Sequence, residues 1–80
     1  MAVRLVFIGK LEDVAGEASR EVACCATMDE LFDGLDPELA RELRGDRIRV
    51  AINGDVLADL RRAAIGDGDE IAFLPPVSGG

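Results

Sequence analysis

The first apolar stretch of the chain is rich in β-branched and aromatic residues, which is typical of a β-strand, and its single polar side chain is Arg4. It reads VRLVFIG at positions 3–9. If Arg4 faces water, the odd positions face the core, and Val6 and Ile8 face outward together with Arg4. The residues predicted to face inward are Val3, Leu5 and Phe7.

Three further stretches have the composition of strands, at 20–25, 46–57 and 70–74. In the middle one, Asn53-Gly54 is typical of a type I′ turn and predicts a hairpin with a short return strand at Val56 and Leu57. The alternation before that turn predicts a buried set and an exposed set: Ile48, Val50 and Ile52 against Arg47, Arg49 and Ala51.

Two short helices are predicted between these strands. The sequence TMDE at 27–30 is a capping box, in which the Thr27 hydroxyl accepts from the N–H of Glu30 and the Glu30 carboxylate reaches back. Asp36 then caps the second helix, and Pro37 occupies its first position, where a missing N–H does no harm. The buried faces follow from helical spacing: Met28, Leu31, Phe32, Leu35, Leu39, Ala40 and Leu43.

The resulting order is β-β-α-β-β-β, with helices only in the middle of the chain, which predicts an α+β fold of two layers. Residues 11–19 are interpreted as a turn because they contain Gly16 and several acidic residues. Residues 58–65 are interpreted as either a helical turn or a loop. The length of 80 residues is that of one domain, at 1–76, followed by a tail at 77–80.

The net charge of −7 argues against a nucleic-acid partner, because phosphate binding requires a basic surface. No apolar run approaches the roughly 20 residues that span a bilayer, and the N-terminus lacks a secretion signal. We therefore expect a cytoplasmic protein. Neighbouring residues on a strand face opposite sides, so we expect Cys24 and Cys25 to be two reduced thiols, one of them buried.

The residue types that usually carry acid–base catalysis are scarce. The sequence has no histidine, tyrosine or tryptophan, and Lys10 is its only lysine. The DGDE run at 67–70 lacks the twelve-residue spacing of a calcium loop and is typical of a solvated turn. We expect no metal site, no bound cofactor and no independent catalytic activity.

The C-terminal segment, PPVSGG, is typical of an extended arm. Pro75 and Pro76 lack N–H donors and resist helix, so they end the last strand. The four residues beyond them extend about 13–14 Å, and the glycine pair has no Cβ atoms, so the arm is narrow enough to enter a channel in another protein. These four residues are Val77, Ser78, Gly79 and Gly80. A frayed end without function is the competing interpretation.

A partner surface is predicted at the base of this arm. Inward-facing Ile71 and Phe73 leave Leu74 outward. If the first and last strands are parallel neighbours, Leu74 lies near Ile8, and exposed apolar patches of this kind often mark binding surfaces. The predicted patch comprises Val6, Ile8, Ala72 and Leu74. The alternative is that Ile8 and Leu74 pack beneath a loop.

With these features together, the chain resembles the ubiquitin-like β-grasp sulfur carriers, and among them most closely the molybdopterin synthase small-subunit family. The residues that carry the resemblance are VRLVFIGKLEDVAG at 3–16, the capping-box helix, and DGDEIAFLPPVSGG at 67–80. It covers essentially the whole chain. It implies a β-grasp fold, in which a mixed sheet packs on a central helical segment and ends in a flexible Gly-Gly tail.

The resemblance also implies a chemistry. A partner enzyme would use ATP to join the Gly80 carboxylate to AMP, and a sulfur donor protein would displace AMP to leave a thiocarboxylate. The tail would then enter the large synthase subunit in a heterotetramer and donate sulfur to a pyranopterin precursor of the molybdenum cofactor. Gly79 would keep the tail narrow enough to enter. The interface residues that the resemblance implies are Ile8, Leu57, Leu74, Pro75, Pro76, Val77 and Ser78.

Two alternatives remain at this stage. One is a sulfur carrier of the same fold that serves thiamine synthesis, tRNA thiolation or protein conjugation. The other is a ubiquitin-like interaction domain in which the terminal glycines are inert.

Overall fold

The computed structural model describes residues 2–45, 47–57 and 64–75. Eight elements follow one another in these ranges: β1 Ala2–Phe7, α1 Lys10–Ala15, β2 Ser19–Ala23, α2 Met28–Asp33, α3 Pro37–Leu43, β3 Arg49–Ile52, β4 Asp55–Val56 and β5 Glu70–Leu74. The predicted tail at 77–80, Pro76 and most of the ambiguous segment at 58–65 lie outside the described residues.

The five strands form one mixed sheet in the order β2-β1-β5-β3-β4. β1 pairs with β5 in parallel and with β2 in antiparallel orientation. β3 pairs antiparallel with both β4 and β5. The condition set by the sequence, that the first and last strands are parallel neighbours, is therefore confirmed, and β5 lies at the centre of the sheet.

One face of the sheet packs against the helices to form the core. The inward parity predicted for β1 is confirmed, because Val3, Leu5 and Phe7 are all buried. The rings of Phe7 and Phe73 stack with their centroids 5.8 Å apart, and the ring of Phe32 tilts against Phe73 at 6.2 Å. The helices and the link between α2 and α3, which contains Leu35, supply most of the opposite layer: Leu11, Met28, Leu31, Phe32, Leu35, Leu39, Ala40 and Leu43.

The cap that Thr27 was predicted to form at the start of α2 is confirmed, and the Glu30 carboxylate reaches back to the residue before Thr27. The N–H of Glu30 donates to the Thr27 hydroxyl at 3.2 Å, and the Glu30 carboxylate accepts from the N–H of Ala26 at 3.3 Å. At the start of α3, Pro37 occupies the first turn, but the Asp36 side chain makes no capping hydrogen bond. The predicted role of Asp36 is thus correct in position and wrong in mechanism.

The prediction of a turn across residues 11–19 is wrong, because α1 occupies Lys10–Ala15. This helix buries a single side chain, Leu11, so its sequence carries no repeating apolar face that would predict a helix. It ends at Gly16, whose backbone is left-handed (φ 84°) and whose N–H donates to the Glu12 carbonyl oxygen. The element order is therefore β-α-β-α-α-β-β-β, and helices are not confined to the middle of the chain.

Two smaller predictions are also corrected. Ala51, assigned to an exposed face, is buried because strands flank it on both sides, with Ala72 on β5 and Val56 on β4 as its partners. Cys24 and Cys25 are both free thiols, but both are half-buried, so neither is the fully buried thiol that strand parity predicted. The reason is that β2 ends at Ala23, before the pair.

Candidate partner-binding site at the exit of the last strand

The backbone leaves the sheet at a fixed point beside the turn between β1 and α1. The N–H of Ile8 donates to the Phe73 carbonyl oxygen at 3.1 Å, which continues the parallel pairing past the end of β1. Gly9 follows with φ 58° and ψ −131°, a conformation that glycine alone adopts without strain. A Cβ atom at Gly9 would lie 3.2 Å from Cγ of Pro75. The glycine thus makes room for the first proline after β5.

The outer face of the two central strands is apolar at this exit. Register pairs Val6 with Ala72, and both are half-buried. One step further along, Ile8 exposes 41% of its surface and Leu74 is half-buried. We refer to Val6, Ile8, Ala72 and Leu74 as the apolar patch.

The apolar patch continues across the sheet onto the β3–β4 hairpin. Ala51 pairs with Ala72 on one side and with Val56 on the other, so the three side chains lie in one row on the outer face. Val56 is 57% exposed, the highest value among the large apolar side chains of the described residues. The sequence analysis predicted the strand that contains Val56 but did not include Val56 in the apolar patch. The Asn53-Gly54 turn could have indicated this position, because a two-residue loop pairs Ala51 with Val56.

Charged side chains border this surface. At the end of the sheet remote from the exit, Arg4 is paired in register with Glu21 on β2 and Glu70 on β5. Nearer the exit, Arg49 lies opposite Leu74. An apolar centre with a charged border is the usual composition of a protein-binding surface.

A hydrogen-bonded cluster around Asp69 holds the start of β5 in place. The Asp69 carboxylate accepts from the N–H of Gly66 at 2.8 Å and from the side-chain amide of Asn53 at 3.0 Å. The Asn53 amide oxygen in turn accepts from the N–H of Glu70 at 3.0 Å. These bonds, the one from Gly66 first and the one from Asn53 second, lower the pKa of the Asp69 carboxyl below its ordinary value. The DGDE run is therefore a structural turn that joins the hairpin to β5.

The other predicted interface residues divide into two groups. Leu57 is half-buried and packs against the core, and its N–H donates to the Val50 carbonyl oxygen at 2.8 Å. Pro75 is half-buried beside Gly9. Pro76, Val77, Ser78, Gly79 and Gly80 lie outside the described residues, so the structure does not test their predicted roles.

The part of the chain that the structure describes offers few groups for chemistry. Within it, no cluster of three or more cysteine, aspartate or glutamate side chains is arranged to hold a metal ion. Burial raises the pKa of the Cys25 thiol, with further contributions from the charges of Glu30 and Cys24, which disfavours a reactive thiolate. None of the described helices is long and apolar enough to cross a membrane. What this surface can do chemically is to dock a partner next to the end of β5.

The chain is similar to known proteins over almost its whole length. The model of the ThiS family matches residues 5–80. SAMP1 from Haloferax volcanii is 32% identical, with full coverage of both chains and a TM-score of 0.78. The small archaeal modifier protein 1 from Methanosarcina acetivorans is 27% identical over 99% of this chain and 96% of that one, with a TM-score of 0.75.

A third similar structure is a complex of two proteins. It is the complex of subunits 1 and 2 of the molybdopterin-converting factor from Helicobacter pylori, and the matching chain is 26% identical with full coverage of both chains and a TM-score of 0.73. A search of curated protein sequences gave no significant match.

Proposed function

The chain belongs to the ThiS family of ubiquitin-like sulfur carriers, and from that premise we propose that Gly80 carries sulfur as a thiocarboxylate for synthesis of the molybdenum cofactor. The observation that supports this most directly is the position of β5. It lies at the centre of the sheet, ends beside the apolar patch, and is followed in the sequence by PPVSGG. A partner that docks on the patch would thus receive the terminal carboxylate next to its own surface.

The proposed reaction has three steps, and none of them requires a catalytic side chain of this protein. An activating enzyme transfers AMP from ATP to the Gly80 carboxylate, which releases pyrophosphate and forms an acyl-adenylate. The persulfide of a sulfur donor protein then attacks the acyl carbon, the C–O bond to AMP breaks, and AMP leaves. The product is an acyl disulfide, and a thiol reduces its S–S bond to leave the thiocarboxylate on Gly80. ATP is thus used by the partner, and this chain binds no cofactor. We place these steps in the cytoplasm, where ATP and reducing thiols are abundant.

The acceptor in this proposal is a large synthase subunit, which takes up the tail and transfers its sulfur to a pyranopterin precursor. Support comes from the matched chain of Helicobacter pylori, which is part of a complex of subunits 1 and 2 of a molybdopterin-converting factor. Ile8 and Leu74 would contact the large subunit, and Pro75, Pro76, Val77 and Ser78 would line the path of the tail, with Gly79 and Gly80 at its end. A heterotetramer of two small and two large subunits is the assembly we propose.

A second candidate function is protein modification. The similarity to SAMP1, at 32% identity over the full length, favours it, because the related protein from Methanosarcina acetivorans is called a modifier. In this case the same acyl-adenylate would transfer the Gly80 carbonyl to an amine of a target protein, with AMP as the leaving group. Both functions depend on an activated Gly80 carboxylate, and they differ in the nucleophile that takes it.

Intact-mass measurement distinguishes these functions. Incubation with the cognate activating enzyme, ATP and a sulfur donor is expected to raise the mass by the difference between one sulfur and one oxygen atom. A chain lacking Gly80 should show no gain, and an equal gain in that variant would refute the proposal. The modifier function predicts covalent adducts between this chain and lysine residues of other proteins in a reaction with ATP and no sulfur source.

A one-residue extension tests the path of the tail. Adding one glycine after Gly80 is expected to abolish sulfur transfer by the synthase, while the same glycine added before Met1 is a matched control. The chain enters β1 at Ala2 and leaves β5 at Leu74, which are opposite ends of this parallel pair. Full turnover by the C-terminally extended chain would contradict the insertion of the tail into a narrow channel.

A further inference from the structure

β2 presents an open strand edge. Among the residues that the structure describes, it is a terminal strand of the sheet and pairs only with β1. The N–H of Phe7 donates to the Ala18 carbonyl oxygen at 2.9 Å, which fixes the phase of the antiparallel pairing. The backbone groups of alternate residues are therefore directed away from β1. These are the groups of Ser19, Glu21 and Ala23.

A groove of about 230 Å³ runs beside this edge, between the end of β2 and α2. Its strand side is formed by Val22, Ala23, Cys24 and Cys25, and its helix side by Glu30, Leu31, Gly34 and Leu35. Gly34 opens the groove, because a Cβ atom there would meet nothing closer than the Leu31 carbonyl oxygen at 3.6 Å. The groove is largely apolar and lies on the helix side of the sheet.

We propose that an extended, lysine- or arginine-rich segment of a partner protein binds here, by adding to the edge of β2 as a further strand. Its backbone pairs with the open groups of Ser19, Glu21 and Ala23, as in other cases of strand addition. Its side chains alternate between the two faces of the sheet. Apolar side chains enter the groove opposite Val22, and cationic side chains lie on the outer face opposite Glu21.

Charge determines which peptide fits. Glu21 is exposed on the outer face of β2, and Glu30 lies in the groove wall. Arg20, the nearest cation on the strand, is already paired with Glu17 at 2.7 Å. With a net charge of −7 over the whole chain, the protein attracts a basic peptide and repels an acidic one.

This site is separate from the apolar patch and goes beyond the proposed function. The patch lies on the outer face of β1 and β5, whereas the groove lies on the helix side at the β2 edge. A partner held at β2 therefore leaves the patch and the end of β5 accessible. The protein is thus able to hold two partners at once.

The test uses a defined peptide with alternating residues, acetyl-Lys-Val-Lys-Val-Lys-Val-Lys-amide, titrated into the ¹⁵N-labelled full-length protein. We expect the largest amide shifts at Ser19, Glu21, Ala23 and Gly34, and small ones at Ile8 and Leu74. A peptide with glutamate in place of lysine should bind about threefold or more weakly, given the modest value of each exposed ion pair. A peptide of the same composition in the order Lys-Lys-Val-Val-Val-Lys-Lys should also bind more weakly, since it lacks the alternation.

Two variants then locate the site. Gly34→Leu fills the groove at a backbone position with right-handed dihedral angles (φ −83°, ψ −6°), and is expected to weaken binding about tenfold. Val14→Leu, which adds one methylene at an exposed site on α1, is its matched control. Ala23→Pro removes one backbone N–H from the open edge and leaves the bonds to β1 in place. It is also expected to weaken binding, and it tests the proposal if Gly34→Leu does not fold. Absence of binding, shifts centred on the apolar patch, or unchanged affinity in the folded variants would overturn the proposal.

Discussion

At the scale of single residues, Asp69 joins three parts of the chain. Its carboxylate binds the N–H of Gly66 in its own turn and the Asn53 amide in the β3–β4 hairpin. Its carbonyl oxygen accepts from the N–H of Arg4 at 3.0 Å, at the start of the β1–β5 pairing. Asp69 therefore ties the start of β5 to the hairpin and to β1, in addition to the pairing of β5 with its two neighbouring strands.

The lowered pKa of Asp69 predicts a loss of stability in acid. A depressed carboxyl pKa contributes stability above the unfolded-state pKa of about 3.9, and this contribution is lost as the pH falls through the lower, folded-state pKa. We expect Asp69→Asn to lower the thermal midpoint at pH 7 and to match the parent protein at a pH below both pKa values. Scanning calorimetry across this range measures the difference. A constant gap between the two proteins at every pH would contradict the assignment.

The thiol of Cys25 provides a second prediction at this scale. Burial raises its pKa, and the negative charges of Glu30 and then Cys24 add to the effect. In a Cys24→Ser background, the rate of reaction with iodoacetamide should rise with pH through a midpoint above the ordinary thiol value. Glu30→Gln in the same background should move that midpoint down, because the carboxylate charge is gone while the burial remains. An unchanged midpoint would show that Glu30 does not influence the thiol.

At the scale of elements, the outer face of β1 and β5 can be altered without disturbing the core. Ile8 and Val14 are exposed to similar degrees, at 41% and 45%, but Ile8 belongs to the apolar patch and Val14 lies on α1. Because both side chains are exposed, neither is needed to fill the core. A charge at either position therefore tests the surface and not the stability of the fold.

We expect Ile8→Asp to weaken binding to the proposed large-subunit partner by about tenfold or more, through loss of apolar contact and burial of an unpaired charge. Val14→Asp should bind as the parent protein does. Binding is measured by calorimetry, and circular dichroism confirms that both variants fold. Equal binding by both variants would move the interface away from the patch.

Elements with a local signal were predictable from the sequence, and those formed by long-range contacts were not. Thr27 and Glu30 define the start of α2 within four residues, and Asn53-Gly54 defines the hairpin in the same way. α1 was missed because Leu11 alone is buried, and its helix is held by backbone bonds and by the sheet beneath it. The groove at β2 was missed as well, because its prediction requires knowledge of which strand is at the edge.

In the candidate site, strand parity located Ile8 and Leu74. The position of Pro75 against Gly9 could not be predicted in this way, because the two residues are 66 positions apart in the chain.

At the scale of the whole molecule, one aromatic cluster connects the two layers. Phe73 on β5 stacks on Phe7 of β1 and contacts Phe32 of α2, and it is completely buried. Domains of this size bury only about 60–65% of the surface of the unfolded chain, so their stability is modest. Removal of a single large side chain from the centre of the core is therefore expected to cost a large fraction of the total free energy of unfolding.

Phe73→Ala is expected to lower the free energy of unfolding by about 3–5 kcal/mol, out of the roughly 5–15 kcal/mol typical of a native domain. Phe73→Leu retains most of the apolar volume and should cost less. Urea denaturation followed by circular dichroism measures both. A loss below about 1 kcal/mol for the alanine variant would show that the cluster collapses around the cavity and does not depend on the ring.

The position of β5 also has a consequence during synthesis on the ribosome. It follows the other four described strands in the sequence, yet it lies between β1 and β3, so the described strands before it form only two separate pairs, β1–β2 and β3–β4. Isolated two-stranded hairpins are marginally stable at best, and pairing over a long sequence separation is slow. We therefore expect a nascent chain to complete its sheet only after β5 has left the exit tunnel. A prematurely terminated product that lacks this strand is open to proteases, so molecules that reach the folded pool carry the strand from which the C-terminal glycines extend.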